Sequence, residues 1–535
     1  MEATRRRLSS DATSSPHISL LRSSPALRPA SSSSASPSQP STTRHLKTLP
    51  LACLIYYSVS GGPFGMESSV MFAGAAYTLL GFVVFPVLWS VPEALITAEL
   101  ATAYPEASGC VAWVSEAFGP TAGLLNGYLT WLSGVTDNSL YPVLFLKYLV
   151  ASPGEGAMPS WLDPGTYTRW LTIAGMVALL SYMNFRGLKL VGQVNTAIGV
   201  VSLLPFVALV ALCIPHIDTS RWKVTPEGGF RDVQWSEFIN ILFWNLNYWD
   251  HAASFSGEVI DPGRTYPRAS AFAVAFVTLG YVIPLLAIIG VSDSPNSDWT
   301  DGYAVVVART VAGPWLSGWI VFASAISNLA LFQAEMSSDS LQLMGMAERG
   351  LLPKVFGHKS LHGTPTFSIL LSSAICATLA IFDFTSLVEM VNFLYVFSLF
   401  MEFAAFIALR INAADIDRPY MIPIGTVGCC IMLLPAVVFL VIMIVLASNI
   451  TYCVCFGMVA VGALLYALMQ YCRVQGLIEF QEGGVGAGGG GAVASEVGEV
   501  DEAEEGMLGS EEDDLLGVAS DDAGGKRLRA KSDLP

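Results

Sequence analysis

Two acidic residues interrupt apolar stretches of the chain. Glu67 follows Gly61-Gly62-Pro63-Phe64-Gly65 within Leu51–Ala73, and Asp250 stands between Trp249 and His251 within Phe238–Phe255. A charge held in hydrocarbon costs roughly 2.5 to 3.5 kcal/mol on insertion scales, so residues of this kind mark a functional site by default. Glu93, Glu99, Asp137, Glu335, Asp339, Glu389 and Glu402 also fall within or at the ends of apolar segments, while Lys147 is the main basic counterpart. An interior with excess carboxylates suits a small cation, a proton, or both. An indole face beside a carboxylate holds an alkylammonium group, which singles out Trp249 with Asp250 and the neighbouring Tyr248. Glu67 joins them as a candidate for substrate binding, and Glu67, Asp250 and His251 are the candidates for proton coupling. For His251, whose ordinary titration lies near neutral pH, the alternative is a polar packing residue.

The elements that must position these groups are two interrupted spans. Gly61, Gly62 and Gly65 relax the backbone of the first and Pro63 removes an amide donor, so its freed polar groups must face protein or water rather than lipid. These three glycines are expected to border the substrate. Asn245, Asn247 and Asp250 disturb the second span in the same way. A pair of broken spans in corresponding positions of two halves points to the substrate site of a secondary transporter.

Composition agrees with this frame. The chain has 535 residues, 53% of them hydrophobic and 13% charged, with a mean hydropathy of +0.55; an ordinary soluble domain carries about 25% charged residues. Hydrophobic runs long enough to cross a bilayer recur about twelve times. They predict an all-α membrane protein of about twelve transmembrane helices, arranged as a five-plus-five inverted repeat plus two helices, with helices 1 and 6 broken. Among the expected spans are Tyr77–Ala98, Thr121–Val150, Arg268–Val291, Trp315–Met336 and Leu387–Leu409.

Three segments follow: a basic, Ser/Pro-rich tail over 1–49, a transporter domain over 50–472, and a Gly-rich and acidic tail over 473–535. The first tail fits either a disordered cytoplasmic segment or, through Arg5-Arg6-Arg7 and its many serines, an organelle transit peptide. The last tail is too polar and too charged to fold alone, and Glu511–Leu516 resembles an acidic dileucine sorting signal. Basic residues such as Arg186, Lys189, Arg264, Arg268, Arg349, Arg410 and Arg418 place both tails in the cytoplasm, with the plasma membrane the first expectation and an organelle membrane the second.

Nine cysteines, mostly within apolar segments, show neither a metal spacing nor a disulfide framework. No cofactor or metal is expected. Six scattered histidines and no nucleophile with a base speak against an enzyme.

GGPFGMESSV (Gly61–Val70), FWNLNYWDHAASFSGEV (Phe243–Val259), AEMSSDSLQLMGMAERGLLP (Ala334–Pro353) and RPYMIPIG (Arg418–Gly425) resemble the plant-type polyamine uptake transporters of the amino acid, polyamine and organocation superfamily. The resemblance spans about residues 50–470. It implies the leucine-transporter-like inverted-repeat fold and proton-coupled import of polyamines, with helices 1 and 6 lining the site. Two positions depart from the family pattern: Lys147 stands where an acidic residue is usual, and His251 where a small polar one is. The alternative is a permease for amino acids, particularly cationic ones. In such carriers the free amides of the first break receive a carboxylate; here Pro63 removes a donor and Glu67 adds negative charge. The expected partners are a small cationic substrate, protons and the lipid bilayer, with no nucleic acid.

Overall fold

The structure, a computed structural model, describes residues 46–150, 166–382 and 384–481. They form α-helices joined by short turns and 3-10 segments, and among the described residues no strand is present beyond isolated bridges. The expected sorting string and most of both tails lie outside the described residues.

The first helix, α1 (Thr48–Val59), ends at Ser60, and the chain is non-helical until α2 (Ser68–Phe85). Within α2, Gly74 (φ 75°) turns the chain, which then runs through a wide turn at Pro86–Ser90 into α3 (Val91–Ala103). After α4 (Cys110–Phe118), α5 (Pro120–Asn138) and α6 (Leu140–Val150) share the expected Thr121–Val150 span. The division at Asn138–Ser139 places Asp137 and Tyr141 on either side of a turn. Next come α7 (Tyr167–Phe185), α8 (Leu188–Cys213) and α9 (Trp235–Leu246). Beyond α9 the backbone is extended at Asn247, left-handed at Tyr248 (φ 68°), and then tightens into a 3-10 segment, Asp250–Glu258.

The remaining helices are α10 (Pro262–Val291), α11 (Tyr303–Ala312), α12 (Pro314–Glu348), α13 (Thr366–Leu379), α14 (Phe384–Asn412), α15 (Thr426–Leu446) and α16 (Asn449–Val474). Proline opens α5, α10 and α12, where its fixed φ suits the first turn and its missing N–H costs nothing. The Ser448 hydroxyl caps α16 by accepting the Thr451 N–H.

Among the described residues, seven helical segments are long and apolar enough to cross a membrane. The cores of α12 and α14 are 61% buried against 6% for α16, so α12 and α14 form the centre and α16 the periphery. On α15 the exposed Val427, Ile431, Leu434, Val438, Val441 and Val445 recur every three or four residues, one continuous apolar stripe of the kind a lipid-facing helix presents. The long α12 runs twelve residues past the expected end at Met336. Glu335 and Asp339, expected near a helix end, are therefore buried mid-helix.

Buried charge ties one end of the bundle together. The Arg410 guanidinium donates through Nε (2.9 Å) and one terminal nitrogen (2.5 Å) to Glu99, which also accepts the Ile422 N–H (2.9 Å). At the same end Arg349 donates to Glu106 (2.8 and 2.7 Å) and reaches Glu116 at 3.2 Å. The packed unit also reaches past the expected domain limits of 50 and 472: Leu46 is buried and exchanges backbone hydrogen bonds with Glu258 and Ile260, and the Lys354 N–H donates to the Glu479 carbonyl.

Candidate functional site

The non-helical residues 60–67 and the turn after α9 meet at a small cavity. Its lining includes Gly61, Gly62, Gly65, Asp137, Tyr141, Tyr148, Trp244, Tyr248, Asp301, Ser327 and Asn328, around a free space of about 30 Å³. One water occupies roughly 10 to 15 Å³ on that measure. The cavity is thus closed down around a few waters.

Neighbouring side chains satisfy the backbone freed at the first interruption. Ser327 of α12 donates to the Gly61 carbonyl, Asn245 of α9 to the Gly65 carbonyl (3.3 Å), and the Ser60 hydroxyl accepts the Gly62 N–H (3.2 Å). Gly65 is required twice over. Its φ of +68° disfavours any side chain, and a Cβ there would sit 2.9 Å from the Trp244 ring.

Trp244 is shared with a second, larger space of about 600 Å³, lined by Ser68, Glu237, Asn240, Thr300, Asp301, Glu389 and Ser448 among others. Gly65, Trp244 and Asp301 border both spaces. The described lining of the larger one contains three carboxylates and neither Lys nor Arg. The expected departure at Lys147 cannot be placed against it, since that side chain lies outside the described residues.

Of the expected site residues, Gly61, Gly62, Gly65 and Tyr248 line the small cavity; Glu67, Trp249, Asp250 and His251 do not. Glu67 is buried at the start of α2, faces Asp301, and takes backbone hydrogen bonds from Gly302 and Ala304. Trp249 turns back on its own chain, its indole donating to the Leu246 carbonyl (2.9 Å) and its backbone N–H to Glu93 (3.0 Å). Asp250 accepts from the Tyr395 hydroxyl, which also lies 2.8 Å from Glu93. His251 packs edge-on against Tyr248 (4.5 Å between centroids), with its Nδ1 3.7 Å from Glu335.

Glu67 and Asp250 therefore occupy different neighbourhoods, one beside the start of α11 and the other between α3 and α14. Two carboxylates join the glycines and Tyr248 in that lining, Asp301 and Asp137, and Asp137 is the one bonded by two aromatic residues of the wall. It accepts from the Trp244 indole (2.9 Å) and from the Tyr141 hydroxyl (2.5 Å). Sequence reasoning placed Asp137 among the buried acids, but nothing local marked it out; it stands alone between Thr136 and Asn138, and its partners come from α6 and α9. Glu93 bonds to the Asp250 turn itself, through the Trp249 N–H.

Cys110, Asp250 and Glu402 offer ligand atoms within 4.8 Å of one another. Glu402 accepts from Ser398 (2.8 Å) and Asn126 (3.4 Å), Cys110 from Asn126 (3.4 Å) and Asp250 from Tyr395, so hydrogen bonds already engage all three groups.

Residues 46–461 match the amino acid permease family. The chain is 44% identical over 444 residues to polyamine transporter PUT1 of Oryza sativa subsp. japonica, covering 82% of this chain and 81% of that one. It is 41% identical over 437 residues to polyamine transporter RMV1 of Arabidopsis thaliana, covering 82% and 88%. A more distant similarity, 22% over 374 residues and 67% and 69% of the two chains, is to the aspartate-proton symporter of Bacillus subtilis (strain 168). Together with seven helices able to cross a membrane, these matches make the protein an integral, multi-pass membrane protein, and the chain belongs to the amino acid permease family.

Proposed function

We propose that the protein imports polyamines of the putrescine and spermidine class by proton symport. The observation that carries this is the pair of adjoining spaces bordered by Asp137, Glu237, Asp301 and Glu389, with no Lys or Arg in their described lining. A polyamine offers ammonium groups separated by methylenes. Carboxylates in successive spaces hold the charges, and Trp244, Tyr148 and Tyr248 cover the apolar chain. The relatives named as polyamine transporters support this substrate class, and the symporter of Bacillus subtilis supports protons as the coupling ion.

In this reading the chain crosses the membrane about twelve times as a five-plus-five inverted repeat plus two, and residues 60–67 and 247–249 are the breaks of helices 1 and 6. Both tails are cytoplasmic, in the plasma membrane. Gly61, Gly62, Gly65, Tyr248 and Asp137 contact substrate, while Glu67, Trp249, Asp250 and His251 act next to it. For an amino acid the first break should offer free amides, yet the Gly62 N–H is held by Ser60 and the Phe64 N–H by the Gly62 carbonyl (2.7 Å).

The test is uptake of labelled putrescine, spermidine, arginine and leucine into vesicles carrying the protein, at several external pH values. Saturable polyamine uptake that rises with an inward proton gradient supports the proposal. Uptake of arginine or leucine without polyamines would replace it with the amino acid reading.

A further inference from the structure

The Tyr141 hydroxyl lies 2.5 Å from one oxygen of Asp137 and 2.7 Å from one oxygen of Glu335. All three side chains are buried. A phenol carries one hydrogen, so it donates to one of these oxygens only. With one of the two carboxyl groups protonated, each short O···O contact has its own hydrogen. In that state the triad carries one carboxyl proton besides the phenolic one and a net charge of minus one. Two arrangements then run through the phenol. In one, the Asp137 carboxyl donates to Tyr141, which donates to Glu335 carboxylate; in the other, the direction is reversed.

We propose that Tyr141 is a proton switch that passes the coupling proton between the substrate cavity at Asp137 and Glu335 in α12. The inference rests on the symport reading above. Interconversion moves the carboxyl hydrogen of Asp137 to the phenol oxygen while the phenol hydrogen leaves for Glu335. One proton is transferred, the phenol stays neutral at both ends of the step, and no other reactant is needed. An ammonium group arriving beside Asp137 favours its ionised form and sends the proton to Glu335; its departure draws the proton back.

The surroundings continue the route. The outer oxygen of Glu335 has no hydrogen-bond partner, and neither ring nitrogen of His251, the nearer of which is 3.7 Å away, has one. His251 is the next acceptor. Its ring lies 5.9 Å, between centroids, from Tyr395, which bridges Glu93 and Asp250 in the way that Tyr141 bridges Asp137 and Glu335. The other titratable groups facing this chain are Asp339, one turn from Glu335 on α12, and Tyr248, Tyr266, Cys376, Cys110 and Glu402. Among the described residues, no Lys or Arg forms an ion pair with Asp137, Glu335, Glu93 or Asp250.

The test uses the full chain in proteoliposomes loaded with a pH-sensitive dye. Spermidine uptake driven by an inward proton gradient is measured against spermidine exchange at equal pH, for the unaltered protein, Tyr141→Phe and Glu335→Gln. Each variant should lower the ratio of driven uptake to exchange by at least roughly tenfold, as loss of a positioned proton-transfer group does, and should abolish spermidine-dependent proton entry. Spermidine-dependent thermal stabilisation in detergent identifies which variants fold, and either one alone decides. Proton entry and a ratio like those of the unaltered protein overturn the proposal, as does an equal fall of both modes, which assigns Tyr141 a packing role. If the unaltered protein takes up spermidine without protons, the symport reading fails and the switch with it, while polyamine transport stands; variants that stay coupled refute the switch alone.

Discussion

The Trp244 indole N–H donates to the Asp137 carboxylate at 2.9 Å, and the same ring borders both the small inner cavity and the larger carboxylate-lined space. If this side chain, which walls two spaces and is bonded to an acid in one of them, gates the passage between them, an ammonium group that competes for Asp137 would release it. Trp244→Phe keeps a ring and deletes the donor. We expect it to speed polyamine exchange and to weaken retention, by the roughly 1.5 to 3 kcal/mol of a hydrogen bond to a charged group. Slower exchange with unchanged substrate dissociation would show that the indole only packs.

Gly65 faces that ring at a positive φ, where an added Cβ would stand 2.9 Å from it. Gly65→Ala is expected to cost about 1 to 3 kcal/mol of stability through backbone strain and to displace Trp244. Uptake should fall more than surface expression does. Gly62→Leu, at φ +113° with the Phe64 ring 3.0 Å from its Cβ position, should abolish transport. Normal uptake by a surface-expressed Gly62→Leu protein would remove residues 60–67 from the site.

The Glu99–Arg410 pair is buried on both sides, at 0% and 2% side-chain exposure. Removing one partner of such a pair leaves an uncompensated charge and costs about 3 to 5 kcal/mol. Glu99→Gln should therefore lower the melting temperature in detergent and reduce the folded yield. Arg410→Lys should lower it as well, because the fork to Glu99 and the Ile422 and Ile424 carbonyls needs a planar guanidinium. A melting temperature unchanged in both variants would contradict the assignment of this pair as a structural tie.

Both tails are expected to modify location rather than chemistry. Removal of 1–45 or of 483–535 should leave uptake per surface molecule nearly intact. Removal through Leu46 should not, since its backbone pairs with Glu258 and Ile260 directly after the 3-10 segment that begins at Asp250. Equal uptake by proteins starting at residues 46 and 50 would show that this pairing is dispensable.

The two interruptions were legible because glycine, proline and polar residues inside apolar runs have few structural explanations in hydrocarbon. The partners of those interruptions were not. Glu335 is nearly two hundred residues from Tyr141 and Asp137 about a hundred from Trp244, and a single acid in an apolar helix looks the same whether it meets a tyrosine, an arginine or another helix's backbone. Glu99 and Glu93 show this directly. They stand six residues apart on α3, yet Glu99 meets Arg410 while Glu93 meets Tyr395 and the turn at Trp249. Trp249 beside Asp250 suggested a shared ammonium site, but the left-handed Tyr248 before them turns the indole back onto Leu246. That backbone turn has no signature in residue types, since tyrosine rarely adopts it.

Asp137 and Asp250 both lie on the proton route proposed above, but only Asp137 borders the cavity, so their substitutions are expected to differ in substrate affinity. Asp137 borders the cavity, so Asp137→Asn removes a charge that substrate meets; loss of a charged hydrogen bond of about 1.5 to 3 kcal/mol corresponds to an apparent affinity roughly ten- to a hundredfold weaker. Asp250 does not border it, and its bonds run to Tyr395 and, through that hydroxyl, to Glu93. Asp250→Asn keeps an acceptor for Tyr395 but removes an acid that can take up and release a proton. We expect its apparent affinity for spermidine to change little, while uptake loses its dependence on external pH. Glu67→Gln, at a carboxyl group with one unpartnered oxygen beside Asp301, should weaken affinity less than Asp137→Asn. Measured KM and maximal uptake across pH distinguish the three. A large rise in KM for Asp250→Asn with normal pH dependence would place the substrate against Asp250, and the small cavity would then be a water-filled neighbour of the true site.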